Sequence, residues 1–123
     1  NEKYDPENSL ITMTASTAIA TAYIDMAGYD SLNLQVIRTA GAAALDIGAT
    51  LLDDGTADAS CTYADINTEY LGASTFAIDS STTYPSKIFF DDAGIMGGAK
   101  YAKVVVTPTA AATITIHAKK MVK

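Results

Sequence analysis

From residue 19 onward, apolar and polar positions alternate with a period of two, and turn residues interrupt the alternation at short intervals. This pattern is typical of the short antiparallel strands of a β-sandwich or small barrel. Successive side chains of a strand point to opposite faces, so the alternation also predicts which face is buried. Residues 32, 34 and 36 (Leu, Leu, Val) are one such face, and Leu45, Ile47, Ala49 and Leu51 are another.

The strands predicted from this pattern are residues 19–26, 31–38, 45–52, 61–66, 75–79, 86–90, 100–107 and 112–120. Residues 53–56 (Asp-Asp-Gly-Thr) predict a tight turn, because Asp-Gly suits the positive φ of a hairpin connection. Residues 60–70 leave room for one helical turn. We therefore expect an all-β fold, a single antiparallel β-sandwich of about eight short strands with jelly-roll or immunoglobulin-like topology.

Residues 1–9 are polar and place Pro6 between acidic residues. They offer little apolar surface to offset the entropy of ordering, so they predict a flexible N-terminal arm. Residues 10–123 form one predicted domain, since a chain of 123 residues has room for one sandwich core.

The clearest predicted element is a final hairpin, in which residues 100–107 and 112–120 flank a turn at residues 108–110. It also carries a charge asymmetry. All fourteen acidic residues lie at or before Asp92, whereas five of the eight basic residues follow it. Such a basic hairpin on an acidic body can orient the protein on a charged neighbour. A simpler interpretation is two exposed strands with lysines on their solvent faces.

The sequence offers no arrangement that predicts catalysis. His117 is the sole histidine and alternates with Ile114 and Ile116, as an exposed strand residue does. Cys61 is the sole cysteine, which excludes an intrachain disulfide and favours a small buried side chain over a nucleophile. Residues 53–58 depart from the calcium-loop pattern and lack its final Glu. We expect a protein that is not an enzyme and has no cofactor and no metal.

Nucleic acid and membrane are also not expected as partners. The net charge is −6, which argues against a surface that binds a duplex. The uncharged stretch of residues 8–24 is rich in Thr and Ser, and that of residues 104–118 is too short to span a bilayer and contains Pro108. The chain is expected to be soluble.

Two segments are more specific than composition. Residues 24–32 read Ile-Asp-Met-Ala-Gly-Tyr-Asp-Ser-Leu, and residues 97–108 read Gly-Gly-Ala-Lys-Tyr-Ala-Lys-Val-Val-Val-Thr-Pro. With the turn at residues 53–56, they resemble in order and spacing a group of short virion structural proteins of tailed phages and prophages. The resemblance covers residues 19–118. The chain departs from the group's pattern in lacking a Glu-Ser entry to the turn and in having Lys100 and Lys103 where Arg is more frequent.

The resemblance implies a capsid decoration or cement protein, a β-sandwich that binds and stabilises the shell of the major capsid protein. Its location would be the virion, assembled in the host cytoplasm, and it would act as a homo-oligomer, with a trimer as one arrangement. The candidate capsid contacts are Tyr4, Asp5 and Pro6 in the arm and Lys100, Lys103, Lys119 and Lys120 in the hairpin. The alternatives are another virion component, such as a head–tail connector or tail protein, and an adhesion module that binds host-surface carbohydrate.

Overall fold

The structure, a computed structural model, describes residues 3–52, 58–81 and 86–122, with side chains described from residue 9 onward. Within these ranges, nine strands are joined by loops, a short α-helix and a 3-10 turn at Asp58–Ser60. The elements are β1 (Lys3–Ser16), β2 (Ala20–Asp25), β3 (Ser31–Ala40), β4 (Ala43–Thr50), β5 (Ala64–Asp65), α1 (Asn67–Leu71), β6 (Phe76–Ile78), β7 (Ser86–Phe89), β8 (Tyr101–Pro108) and β9 (Ala112–Val122). The helical turn expected near residues 60–70 is α1.

The strands form two antiparallel sheets, which confirms the predicted all-β sandwich. Sheet A has the order β1-β9-β3-β7. Sheet B has the order β2-β8-β4, and both β5 and β6 pair with the outer edge of β4. Consecutive strands from β1 to β4, and again from β7 to β9, alternate between the sheets. This alternation is typical of a jelly roll, the first of the two predicted topologies.

The core lies between the two sheets and is built from the faces that the alternation predicts. Leu32, Leu34 and Val36 of β3 are at most 1% exposed, and Ile114 and Ile116 of β9 are equally buried beside them. Each such aliphatic side chain contributes about 1.5–3 kcal/mol relative to an exposed position. The regular burial of alternate residues therefore holds the two sheets together.

The third predicted strand is shifted toward the N-terminus. β4 ends at Thr50, and its Oγ1 donates a hydrogen bond to the carbonyl of Leu52 at 3.1 Å as the chain turns away. Leu51 is 69% exposed and Leu52 is 72% exposed. The predicted burial of Leu51 is wrong, because apolar character alone does not show where a strand leaves its sheet. The predicted turn at residues 53–56 lies outside the described residues.

The predicted final hairpin is also wrong, because β8 lies in sheet B and β9 lies in sheet A. Residues 109–111 cross between the sheets, and the amide of Thr109 donates to the carbonyl of Ala42 in the β3–β4 crossing at 2.9 Å. Gly41 permits this close approach, since a Cβ there would lie 2.1 Å from the carbonyl oxygen of Ala111. Period-two alternation shows that one face of each strand is buried but does not identify the strand's partner.

The flexible arm predicted for residues 1–9 is corrected over residues 3–9, whose backbone belongs to β1. Lys3 lies opposite Val122 and Pro6 lies opposite Lys119, so this part of β1 pairs with the C-terminal half of β9. Pro6 is tolerated because β1 is an edge strand, where one side of the backbone needs no partner. Backbone pairing with a distant strand orders this polar segment, and local composition carries no sign of it.

Asn67, the first residue of α1, fills a gap in the edge of sheet B. Asn67 is 2% exposed and occupies the gap between β5 and β6 on the edge of β4. Its Oδ1 accepts from the amide of Ile47 at 2.8 Å, and its Nδ2 donates to Asp46 Oδ1 at 2.8 Å. The amide of Ile66 also donates to the carbonyl of Ile47 at 3.1 Å, so Ile66 and the Asn67 side chain together replace the missing strand pairing at this point of sheet B.

Candidate functional site

The two segments that carry the resemblance lie side by side at one end of the sandwich. Asp25 in β2 is opposite Tyr101 in β8, and the amide of Met26 donates to the carbonyl of Lys100 at 2.9 Å. Gly28 has a φ of 83°, which the turn between β2 and β3 requires and which side chains disfavour. The motifs therefore form one structural unit, here called the motif end. The third motif, at residues 53–56, lies outside the described residues.

Lys120, one of the candidate capsid contacts, is part of this unit rather than of the surface. It is 8% exposed, and its Nζ donates to the carbonyl of Asp25 at 3.0 Å. The same ammonium lies 4.9 Å from the centroid of the Tyr29 ring, a cation–π geometry. Lys120 therefore stabilises the turn after β2 and is not available to a partner.

The three other candidate lysines lie on three different surfaces. Lys103 is on the outer face of sheet B, and the exposed Lys119 is on the outer face of sheet A. Lys100 precedes β8 at the motif end, with its Nζ 5.1 Å from the ring centroid of Tyr101. These three lysines do not form a single basic surface, because β8 and β9 belong to opposite sheets.

The arm candidates lie beside the end of β9 in sheet A. Tyr4 is opposite Met121, Asp5 is opposite Lys120, and Pro6 is opposite Lys119. Only the backbone of these three residues is described. Of the candidate lysines, Lys119 and Lys120 are thus the ones that the fold brings next to the N-terminal candidates.

His117 lies in sheet A, whereas Cys61 lies outside the strands. His117 lies on the outer face of β9, where its Nδ1 is 3.2 Å from the hydroxyl oxygen of Ser9. Cys61 is buried in the chain between the 3-10 turn and β5, on the side of sheet B. Among the described residues, no group of three or more His, Cys, Asp or Glu side chains is placed to hold a metal ion.

A groove of about 300 Å³ crosses the outer face of sheet B. Gly48 forms its floor, because a Cβ at this position would come within 3.2 Å of the Cβ of Tyr63. Lys103 lies on one side with its Nζ 4.9 Å from the Tyr63 ring centroid, and the carboxylates of Asp46 and Asp65 complete the lining. The groove offers charges of both signs and an aromatic ring.

Tyr63 is held in this groove by its own hydroxyl, which donates to the carbonyl of Asp58 at 2.7 Å. Burial, together with the smaller effects of nearby Cys61 and Asp58, raises the pKa of Tyr63 to about 12. The phenol therefore acts as a structural hydrogen-bond donor at neutral pH rather than as a base.

A second groove, of about 350 Å³, lies on the outer face of sheet A between β7 and β9. Ile88 and Phe90 form its apolar wall and are 45% and 65% exposed. Gln35 lies opposite both Ile88 and His117 in the strand register, so it forms the polar floor. Lys119 completes the far side. Across the sheet, the apolar wall is therefore followed by the neutral Gln35 and then by the positive charge of Lys119.

Asp91 is a buried carboxylate that positions the loop leading to the motif end. It is 1% exposed, and its two oxygens accept from the backbone amides of Leu32 at 3.2 Å, Ile95 at 2.6 Å and Met96 at 3.1 Å. β3 extends beyond β7 at this point, so the side chain of Asp91 continues the hydrogen bonding that β7 provides elsewhere.

Tyr70 of α1 contacts the same residue of β3, Leu32. Its hydroxyl donates to the carbonyl of Leu32, whose amide is bonded to Asp91. Burial raises the pKa of Tyr70 well above its ordinary range, and the charge of Asp91 acts in the same direction. An Asp after a strand and before a Gly-rich loop is a sequence signal for such a contact, whereas Tyr70 carried none.

Comparison with known proteins adds no relative. A scan against protein-family models and a search of curated proteins find no match to the chain. None of the helices in residues 3–52, 58–81 and 86–122 has the length and apolar character needed to cross a membrane.

Proposed function

We propose that the chain is a non-enzymatic structural protein of a phage virion, a capsid decoration protein that binds and stabilises the shell of the major capsid protein. On this proposal it is assembled in the host cytoplasm and is present in many copies per particle. Its work is done by binding energy at its surface, and it requires no cofactor.

The observation that carries the proposal is the direct pairing of the two segments that resemble phage virion proteins. Segments distant in sequence, residues 24–32 and 97–108, meet in adjacent strands β2 and β8. The buried Lys120 of sheet A contacts the carbonyl of Asp25 and the ring of Tyr29, and these contacts hold the turn after β2 against sheet A. This gives the resemblance a common structural role, because its two segments contact each other where β2 ends and β8 begins.

Binding rather than catalysis is also supported by the surface. His117 is bonded to Ser9 on sheet A, while Cys61 is buried on the side of sheet B, so the two residues suited to nucleophilic chemistry do not face one another. Large apolar side chains are exposed at Ile19, at the neighbouring Leu51 and Leu52, and at Ile88 and Phe90. Exposed apolar patches of this kind commonly become covered in an assembly.

The test is binding to empty shells assembled from the major capsid protein of the same phage or prophage. We expect the chain to co-sediment with shells, to saturate at hundreds of copies per particle, and to raise the temperature at which shells disassemble. As a control for specificity, the chain should not co-sediment with the shell of an unrelated phage under the same conditions. No co-sedimentation at saturating concentration would refute the proposal.

Copy number separates this role from the other virion roles. A head–tail connector or a tail ring closes with about six or twelve subunits, because ring symmetry limits the number. An adhesion role predicts instead a saturable ligand in a glycan screen. Turnover of a substrate that is abolished in His117→Ala would show an enzyme.

A further inference from the structure

The outer groove of sheet A combines exposed apolar side chains with a rigid base. Ile88 belongs to β7 and is paired with Gln35 of β3, with no register shift along β3–β7. Phe90 follows two positions later and lines the same groove. Its position is fixed by the next residue, because the amide of Asp91 donates to Asn33 Oδ1 at 2.8 Å. A surface held in this way loses little conformational entropy when a partner binds.

The other exposed apolar pair lacks this support. Leu51 and Leu52 follow the end of β4 and adjoin residues 53–57, which lie outside the described residues. Leu51 and Leu52 are more exposed than Ile88 and Phe90, and neither leucine belongs to a strand. Leu51 also lines a separate cavity at the motif end, so this pair serves as a control for exposed apolar area away from the groove of sheet A.

The two outer faces differ in charge. The groove of sheet B is lined by Asp46 and Asp65 together with Lys103. The groove of sheet A is lined by Lys119 and His117, and no carboxylate is found among the described residues that line it. The described lining of this groove therefore carries no negative charge that would repel an acidic partner.

We propose that the groove between β7 and β9 on sheet A is the surface that docks on the shell, and that its occupant is a segment of the shell protein carrying apolar and acidic side chains. This inference rests on the proposed function and names its contact surface. The apolar side chains of the occupant would cover Ile88 and Phe90. Its carboxylate would face Lys119, which lies across the neutral floor formed by Gln35.

The experiment measures the affinity for empty shells of four variants of the full chain. Ile88→Thr combined with Phe90→Ser removes the apolar wall and keeps a β-branched residue in the strand. Leu51→Ser with Leu52→Ser is its control. Lys119→Glu reverses the charge in the groove, and Lys103→Glu makes the same reversal on the opposite sheet. Thermal unfolding of each variant establishes that it is folded.

We expect the Ile88/Phe90 variant to bind shells about 30-fold more weakly or worse, which is the usual effect of removing a central apolar anchor. Lys119→Glu should bind about tenfold more weakly at low salt, and this difference should shrink as salt is added. The Leu51/Leu52 variant should bind like the wild type. Lys103 is a candidate contact on the opposite sheet, so Lys103→Glu decides between the two faces. On this proposal it binds like the wild type, and a loss larger than that of Lys119→Glu would overturn the assignment to sheet A.

The outcomes separate the two proposals. If the wild type binds shells and the Ile88/Phe90 variant binds equally well, the docking surface is wrong and the decoration role stands. If the wild type does not bind, both are overturned. Sedimentation velocity of the free chain gives a third outcome. Conversion of an oligomer to a monomer by the Ile88/Phe90 variant, with unchanged shell affinity per subunit, would identify the groove as a contact between copies and overturn its assignment to the shell.

Discussion

Replacing the buried Asp91 by Ala should destabilise the fold more than any other single substitution in the loop that leads to the motif end. The substitution removes the acceptor of three backbone amides, and two of these belong to fully buried residues, Leu32 and Met96. A buried donor left without a partner costs about 1–3 kcal/mol, so the expected loss in the free energy of unfolding is about 3–5 kcal/mol. Domains of this size are typically stable by about 5–15 kcal/mol, so the variant should fold but only marginally.

The measurement is chemical denaturation of the wild type, Asp91→Ala, Asp91→Asn and the control Asp92→Asn. Asp92 is the adjacent acidic residue and is exposed, so its variant should lie within about 0.5 kcal/mol of the wild type. Asp91→Asn keeps the shape and one acceptor oxygen, and it should lose about 2 kcal/mol. A loss below about 1 kcal/mol in Asp91→Ala, at an unchanged denaturant slope, would refute the assignment of Asp91 as the residue that holds the loop.

Two further predictions concern the crossing between the sheets and the alkaline stability. Gly41→Ala should lose about 2–4 kcal/mol, because its φ is 76° and a Cβ would meet the carbonyl of Ala111 at 2.1 Å. Gly72→Ala, with a φ of 84° and open space around it, should lose only about 1 kcal/mol, and equal losses in denaturation would contradict the steric argument. The raised pKa of Tyr63, about 12 against an ordinary 10.0, means that the folded state keeps a proton that the unfolded chain releases, so this stabilisation is complete below pH 10 and is lost between pH 10 and 12. Thermal unfolding across this range should show a shallower decline in Tyr63→Phe, and an unchanged profile would remove Tyr63 as a cause.

The buried faces of the central strands were predictable because each strand carries the information locally. The alternation in β3 and β9 requires only that one face meets a core, and Leu34 and Ile116 are buried as it predicts. The predicted ends of β4 were less accurate. Leu51 looks like a core residue in sequence and is exposed, because the chain turns at Thr50 before the alternation stops.

The candidate surface residues were harder to predict than the core. Lys119 and Lys120 are neighbours in sequence, yet one is exposed on sheet A and the other is buried against Asp25 and Tyr29. Ile88 and Phe90 were predicted only as part of a strand. Their exposure depends on which strands lie beside β7, and composition does not contain that information.

The sequence by itself determined that the chain forms antiparallel strands with alternating buried positions, and it placed most of them within a few residues. Tertiary structure decided which strands are neighbours. β8 and β9 are adjacent in the chain and lie in different sheets, while β1 and β9 are far apart in the chain and pair along most of their length. The physical reason is that side-chain alternation is a property of each strand alone, whereas pairing depends on backbone hydrogen bonds that any extended segment can form. Specific contacts such as those of Gly41, Asn67 and Asp91 select among these pairings, and they become visible only when distant segments meet.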